Sequence, residues 1–317
     1  MISIVRNKIF DELPEKLTEK VINKYFDHLC KACKTATLSQ KPIPSESSRD
    51  YDAGECASLD IKHWEQSDFS DHKFSLHALD LGSEHSETYL LTGMTNLIDF
   101  VKLIVESWYS AGHIMKEMRI DAQFVTAEIK AFLKKQKIEI TQPAPHEHGQ
   151  NGSVEVLIKH MQEDVNKLLL SSELSHEYWG LAVLNATDLR EWLPSSKNPL
   201  VSRAVAWGKP KGNLKNSPLI PFGSRVLAHL PLKKQTALSG RAFPAVAVGR
   251  APGVKGGIKL FNPKTKRVII RRTFKVLGLV DRRKSSKPGF IISKSLVRVG
   301  SMSSIMMQVR TKLVEFR

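Results

Sequence analysis

Apolar residues recur along this chain with two different periods, and the switches between them mark out its elements. Over residues 13–29, Leu17, Val21, Tyr25 and Leu29 return every fourth position with Ile22 and Phe26 beside them, which predicts a helix. A Ser/Pro-rich stretch at 41–50 reads as a linker. Strand-like segments follow at 56–61 and at 74–80, where Phe74, Leu76 and Ala78 alternate, with a third at 89–91. Leu97, Val101, Ile104 and Trp108 share one face of a helix predicted over 95–109. A short apolar stretch, 118–120, runs into Asp121, and a helix at 126–135 and a strand at 137–140 come next. The helix predicted from Ser153 carries Val154, Leu157, Met161, Val165 and Leu168 as its core stripe, and a further helical region covers about 174–192. Strands alternating with helices predict an α/β or α+β unit over 50–200. After Lys209 the texture changes: Gly and Pro become frequent, and the apolar runs shorten to 225–230, 245–248, 258–261 and 268–270. That pattern predicts a small all-β barrel over about 215–280. Residues 281–317 read as a disordered basic tail.

Charge divides the chain at nearly the same place. Of its 317 residues, 201–317 hold 26 Lys/Arg against Asp281 and Glu315, a net of +24, whereas 1–200 carry a net of −8. A soluble surface does not need that excess, and a basic module behind an acidic body is suited to a polyanion. Three cysteines, Cys30, Cys33 and Cys56, are too few and too odd in number for a secreted disulfide framework. With no apolar run of membrane-spanning length and no signal-peptide core, a soluble intracellular protein is expected, with no membrane partner.

Three carboxylates then stand out. Asp60 sits between Leu59 and Ile61 inside a strand, where an acid is costly without a purpose. Asp121 ends a strand, and Glu155 opens a helix behind the glycine-flanked string Gly149-Gln150-Asn151-Gly152. On a helical wheel Glu155, Lys159, Gln162 and Asn166 share a polar face apart from the core stripe. Acids brought together from distant parts of a chain are what a pair of hard divalent cations requires for phosphoryl transfer. An ordinary first-turn Glu favoured by the helix dipole, with Lys159 as its partner one turn on, fits the same spacing.

Several motifs in order bear on that choice. They are Gln150-Asn151-Gly152-Ser153-Val154-Glu155, Tyr178-Trp179-Gly180-Leu181-Ala182 with Ala186 and Leu189 behind it, Pro221-Phe222-Gly223, and Asp60 followed downstream by Asp80-Leu81-Gly82-Ser83. Together they make residues 28–278 resemble the integrases of copia-type long-terminal-repeat retrotransposons. The resemblance implies an RNase H-like core, a mixed sheet with flanking helices, over 50–200. In it Asp60, Asp121 and Glu155 would hold Mg²⁺ or Mn²⁺ and carry out 3′-end processing and strand transfer of element DNA into target DNA. It also implies a basic barrel over 215–280, a homo-oligomer when active, and work in the nucleus. Lys159, Lys264, Lys266, Arg267, Arg271 and Arg272 are the nucleic-acid contact candidates; a solvated strand face accounts equally well for the barrel residues. His146 and His148, in the loop before Gly149, are DNA or metal contacts or simply exposed side chains, Trp179 is a core residue, and the basic run 282–284 has the composition of a nuclear-import signal.

The chain also departs from that family. Asp121-Ala122-Gln123-Phe124 replaces a longer Gly-containing turn, the spacing of Asp121 to Glu155 is slightly short, and Val156 stands where the family has Arg. Cys30-Lys31-Ala32-Cys33 supplies two of the four ligands a tetrahedral Zn²⁺ needs, and no His precedes His28, so 1–45 reads as a truncated zinc-binding segment. The alternative reading is accordingly a catalytically inactive, decayed or domesticated integrase fragment that only binds nucleic acid.

Overall fold

The computed structural model describes residues 50–141, 152–211, 218–231, 240–251 and 253–277. The expected helix at 13–29, the Cys30/Cys33 pair, the loop with His146 and His148, Gln150 and Asn151, and the basic tail lie outside the described residues.

The first half of the fold is mixed α/β. Strands β1 (Cys56–His63), β2 (Phe74–Asp80), β3 (Ser86–Leu91), β4 (Glu117–Ile120) and β5 (Glu139–Thr141) form one sheet in the order β3-β2-β1-β4-β5. β1 to β3 are antiparallel neighbours, while β4 runs parallel to β1 and β5 parallel to β4. Two hydrophobic layers cover the sheet, and strand alternation decides which residue enters which. Ala57 and Leu59 of β1, Leu76 and Ala78 of β2, and Met118 and Ile120 of β4 pack beneath α1 (Leu97–Ser110) and α2 (Ala127–Lys135). Cys56 and Leu79 pack on the other side, against α3 (Gly152–Ser172) and α4 (Trp179–Glu191). α2 starts where Thr126 accepts a hydrogen bond from the Ile129 N–H at 3.3 Å, and its last turn carries Lys134 and Lys135, favourable at a helix C-terminus. On α3 the buried stripe continues through Leu169, with Leu168 only partly buried beside it, because a 3.6-residue period drifts past the expected position.

The second half is a five-stranded antiparallel sheet, β10-β6-β7-β8-β9, built from β6 (Arg225–His229), β7 (Ala242–Arg250), β8 (Ile258–Asn262), β9 (Arg267–Arg271) and β10 (Phe274–Val276). Ile269 and Phe274, from the two strands at its ends, pack on the same small core of Val226, Ala245, Ala247, Ile258 and Leu260.

The two halves share a core. Val248 and Phe261 join the α3/α4 layer, and Phe69, Tyr178 and Phe261 meet as an aromatic trio with centroids 5.0–5.8 Å apart. Arg250 of β7 clasps Asp188 of α4 through two 2.7 Å hydrogen bonds and lies 3.5 Å over the Trp192 ring. Gly223 marks the closest approach: its φ is +81°, and a Cβ there would stand 2.1 Å from the Ser172 Cβ. Gly180 has a similar cause, since a Cβ would meet Asp68 Oδ2 at 2.2 Å. Trp179 is buried as expected, stacked on Trp64 at 4.6 Å with its indole N–H donating to the Gln66 carbonyl.

A buried charged knot closes the far end of α4. His85 binds Glu191 through Nδ1, faces Glu87 at 3.6 Å, and stacks on Trp207. Burial alone would push its imidazole down, but the bonds to Glu191 and Glu87 outweigh that and hold it above its ordinary range. A raised folded pKa contributes stability that is full below the unfolded value and is lost as pH rises through the folded one. The urea midpoint of the wild type is therefore expected to fall between pH 6 and pH 9 more steeply than that of His85→Gln; parallel profiles would remove this role.

Candidate active site

The carboxylates predicted from the sequence lie on the same side of the sheet. Even-numbered positions of β1 face the α3 layer, so Asp60 does, two residues on from Ser58. β4 runs parallel to β1 with Leu59 beside Ile120, its last residue, so Asp121 leaves the end of β4 next to the Asp60 position of β1. Neighbouring strands stand about 4.8 Å apart. The α3 helix packs over β1 and β2 and carries Glu155 in its exposed first turn.

Electrostatics bears on the same grouping. The Asp60 carboxyl is held above the usual carboxylate range, first by burial and then by the negative charges of Glu155 and Asp121, against one bond from the Ile61 N–H at 2.7 Å. Two residues from different elements thus act on one acid. Among the described residues, however, no three His, Cys, Asp or Glu side chains are gathered closely enough to hold a metal ion as they stand. Asp121 is turned partly toward its own turn, where it accepts from the Gln123 backbone N–H at 3.4 Å and its side-chain amide at 3.3 Å. That turn is a short 3₁₀ helix, Ala122–Phe124, which Asp121 caps. It requires no positive φ and therefore no glycine.

Around the acids the surface is mixed. Lys159 is exposed one turn beyond Glu155, and among the described residues the two form no ion pair, so the i,i+4 partnership does not restrain either. Val156 is 48% exposed. Lys62 is partly buried on the Asp60 side of β1, a position that strand alternation identifies and motif reading passes over. Opposite Asp60 on β2, His77 is fully buried between the hydroxyls of Ser75 (2.9 Å) and Thr88 (3.1 Å), and burial pushes its imidazole down to about 3, leaving it neutral. Asp80 and Ser83 form a turn of their own: buried Asp80 accepts from the N–H groups of Gly54 and Ser83 and from the Ser83 hydroxyl, which fixes the β2–β3 connection.

The basic candidates of the second sheet fall in two places. Lys264 and Lys266 are exposed in the β8–β9 turn, and Arg267 and Arg272 are exposed at the ends of β9. Arg271 is instead tied down, donating to the carbonyls of His229 and Ile270. No Asp or Glu occurs from 218 to 277, so nothing acidic within that stretch offsets the cations. No described helix is long and apolar enough to cross a membrane.

No protein-family model matches the chain. Over 163 residues it is 26% identical to "Retrovirus-related Pol polyprotein from transposon TNT 1-94" of Nicotiana tabacum. The matched stretch is 51% of this chain and 12% of that polyprotein, so the chain is similar to one segment of a retrotransposon Pol polyprotein.

Proposed function

We propose that this chain is the integrase segment of a retrotransposon polyprotein, with an RNase H-like core that joins element DNA to target DNA in the nucleus. The observation that carries the reading is the placement of half-buried Asp60 on the α3 side of β1, beside the end of β4 where Asp121 follows, with its carboxyl raised first by desolvation and then by the charges of Glu155 and Asp121. A protein keeps such mutually repelling acids when a cation is to share them. The sheet order, with two antiparallel strands on one side of β1 and two parallel ones on the other, is compatible with that core.

The donor set suits Mg²⁺ or Mn²⁺: Asp60, Asp121 and Glu155 offer only hard carboxylate oxygens. When bound, such ions supply a lowered pKa for an attacking water or 3′-hydroxyl and charge stabilisation for the leaving oxygen. The protein's own contribution is placement. In this reading β1 carries Asp60, Asp121 follows directly on the neighbouring β4, and α3, packed on β1 and β2, presents Glu155 from its first turn. Lys159, exposed next to Glu155, is set to take a backbone phosphate one turn away. Lys264, Lys266, Arg267 and Arg272 add sequence-independent attraction for DNA. Zn²⁺ at Cys30 and Cys33, and a homo-oligomer in the active state, belong to the same proposal.

One observation favours the second reading, a nucleic-acid-binding protein without catalysis. The carboxylates are not gathered at ligand distance, and Asp121 is engaged with Gln123. Metal binding separates the two. Titration with Mn²⁺, followed by paramagnetic resonance, is expected to show saturable binding that Asp121→Asn weakens at least ~10-fold. Binding equal in wild type and variant, or none in either, would leave the non-catalytic reading.

A further inference from the structure

Past Asp60, β1 carries a cation that the ion pairs of the fold leave out. Burial fades toward the C-terminal end of this strand: Cys56 to Leu59 are buried, Asp60, Ile61 and Lys62 are half-buried, and His63 is exposed. Lys62 lies on the same face as Asp60, about 6.6 Å further along the strand. The next position on that face, Trp64, packs in the α3/α4 layer and stacks on Trp179. On its own strand face Lys62 is thus bracketed by an acid and an aromatic ring. Its cross-strand neighbour Ser75 is engaged elsewhere, accepting from the Trp64 indole N–H and meeting His77 Nε2, both at 2.9 Å. The other half-buried lysines of the first half have carboxylate partners: Lys102 pairs with Asp99, and Lys167 with Glu163 and Asp164. Among the described residues Lys62 has none, Asp60 included.

Its place in the sheet gives the unpaired charge a use. β1, β4 and β5 are parallel, so their C-terminal ends reach one edge of the sheet, the edge at which parallel strands present ligand sites. Asp60 and Lys62 stand toward that end of β1, and Asp121 leaves that end of β4. Asp60 Oδ1 accepts from the Ile61 N–H at 2.7 Å, which holds the carboxylate toward the Lys62 end of the strand. We propose that Lys62 takes a phosphodiester of the DNA strand that lies on the carboxylates, and so positions that strand along β1. Snorkelling accounts for a half-buried lysine stem, and a phosphate accounts for the charge left unpaired at its tip. An ammonium meets a phosphate as a point charge, so the contact fixes where the strand lies without reading its sequence. The inference rests on the integrase reading and adds a substrate contact to it.

The test uses Lys62→Met in the full chain, which keeps the stem and removes the charge. Binding of a labelled duplex oligonucleotide with Mg²⁺ present is followed by fluorescence anisotropy over a salt series. Lys62→Met is expected to bind ~3–10-fold more weakly, with a salt slope smaller by about one, and Lys62→Arg to recover most of both. Lys130→Met, at an exposed position of α2 on the opposite side of the sheet, should change neither. In joining assays the loss should fall on KM for DNA rather than on kcat. Should Lys62→Met fail to fold, acetylation of the wild type reads the same contact: the duplex should protect the Lys62 amine and leave Lys130 reactive. A folded Lys62→Met with wild-type affinity and salt slope, or a Lys62 amine that DNA does not protect, overturns the proposal. The binding arm needs no catalysis, so the two readings fail separately. Weakened binding by Lys62→Met with no joining by wild type keeps the contact and removes the integrase reading; joining by wild type with unchanged binding by Lys62→Met does the reverse.

Discussion

Asp60→Asn is expected to lower DNA joining at least ~10³-fold while making the metal-free protein harder to unfold. Both halves follow from one cause. Asp60 ionises against burial and against Glu155 and Asp121, so its charge destabilises the fold at neutral pH. A carboxyl whose folded pKa is raised costs stability above that pKa and costs nothing once protonated, and the neutral amide resembles the protonated state. The urea midpoint of Asp60→Asn in chelator should therefore exceed that of wild type at pH 7 and converge with it as pH falls toward 4. Adding Mg²⁺ should reverse the order, because an ion that binds only the native wild type stabilises only that chain. A variant less stable than wild type in chelator would show that Asp60 serves the fold rather than a metal.

The second large effect concerns the joint between the halves. Arg250→Ala is expected to cost about 3–5 kcal/mol, the usual penalty for removing one partner of a buried ion pair. The side chains of Arg250 and Asp188 are 9% and 21% exposed, so solvent screens them little, and removing the guanidinium leaves Asp188 charged and poorly hydrated. Stacking on Trp192 is lost with it. Arg250→Lys should recover less than half, since an ammonium can replace neither the fork nor the stacked plane. Chemical denaturation followed by Trp fluorescence checks this; a loss under ~1 kcal/mol would mean that the aromatic contacts of Phe69, Tyr178 and Phe261 hold the joint alone.

Such effects were legible in the chain to very different degrees. The stripe Leu97, Val101, Ile104 and Trp108 marks α1 to within two residues, because a half-buried helix must repeat its apolar positions. β10 and the turn Arg203–Ala206 escape notice, being three and four residues long, too short for any period to show. Asp60 was visible because an acid among Leu59 and Ile61 breaks a strand's pattern. Its nearness to Glu155 was not, since that depends on how α3 crosses the sheet. Arg250 and Asp188 lie 62 positions apart with no local feature to pair them.

The most direct measurement of the central proposal is a joining assay with the full chain, Mg²⁺ and duplex DNA ending in the sequence of the encoding element. Wild type is run beside Glu155→Gln, a near-isosteric change at an exposed position that should leave folding intact. If Asp60, Asp121 and Glu155 carry the joining chemistry, processed and joined strands are expected from wild type and at least ~10³-fold less from the variant. The same product from both proteins, or none from either, would contradict it.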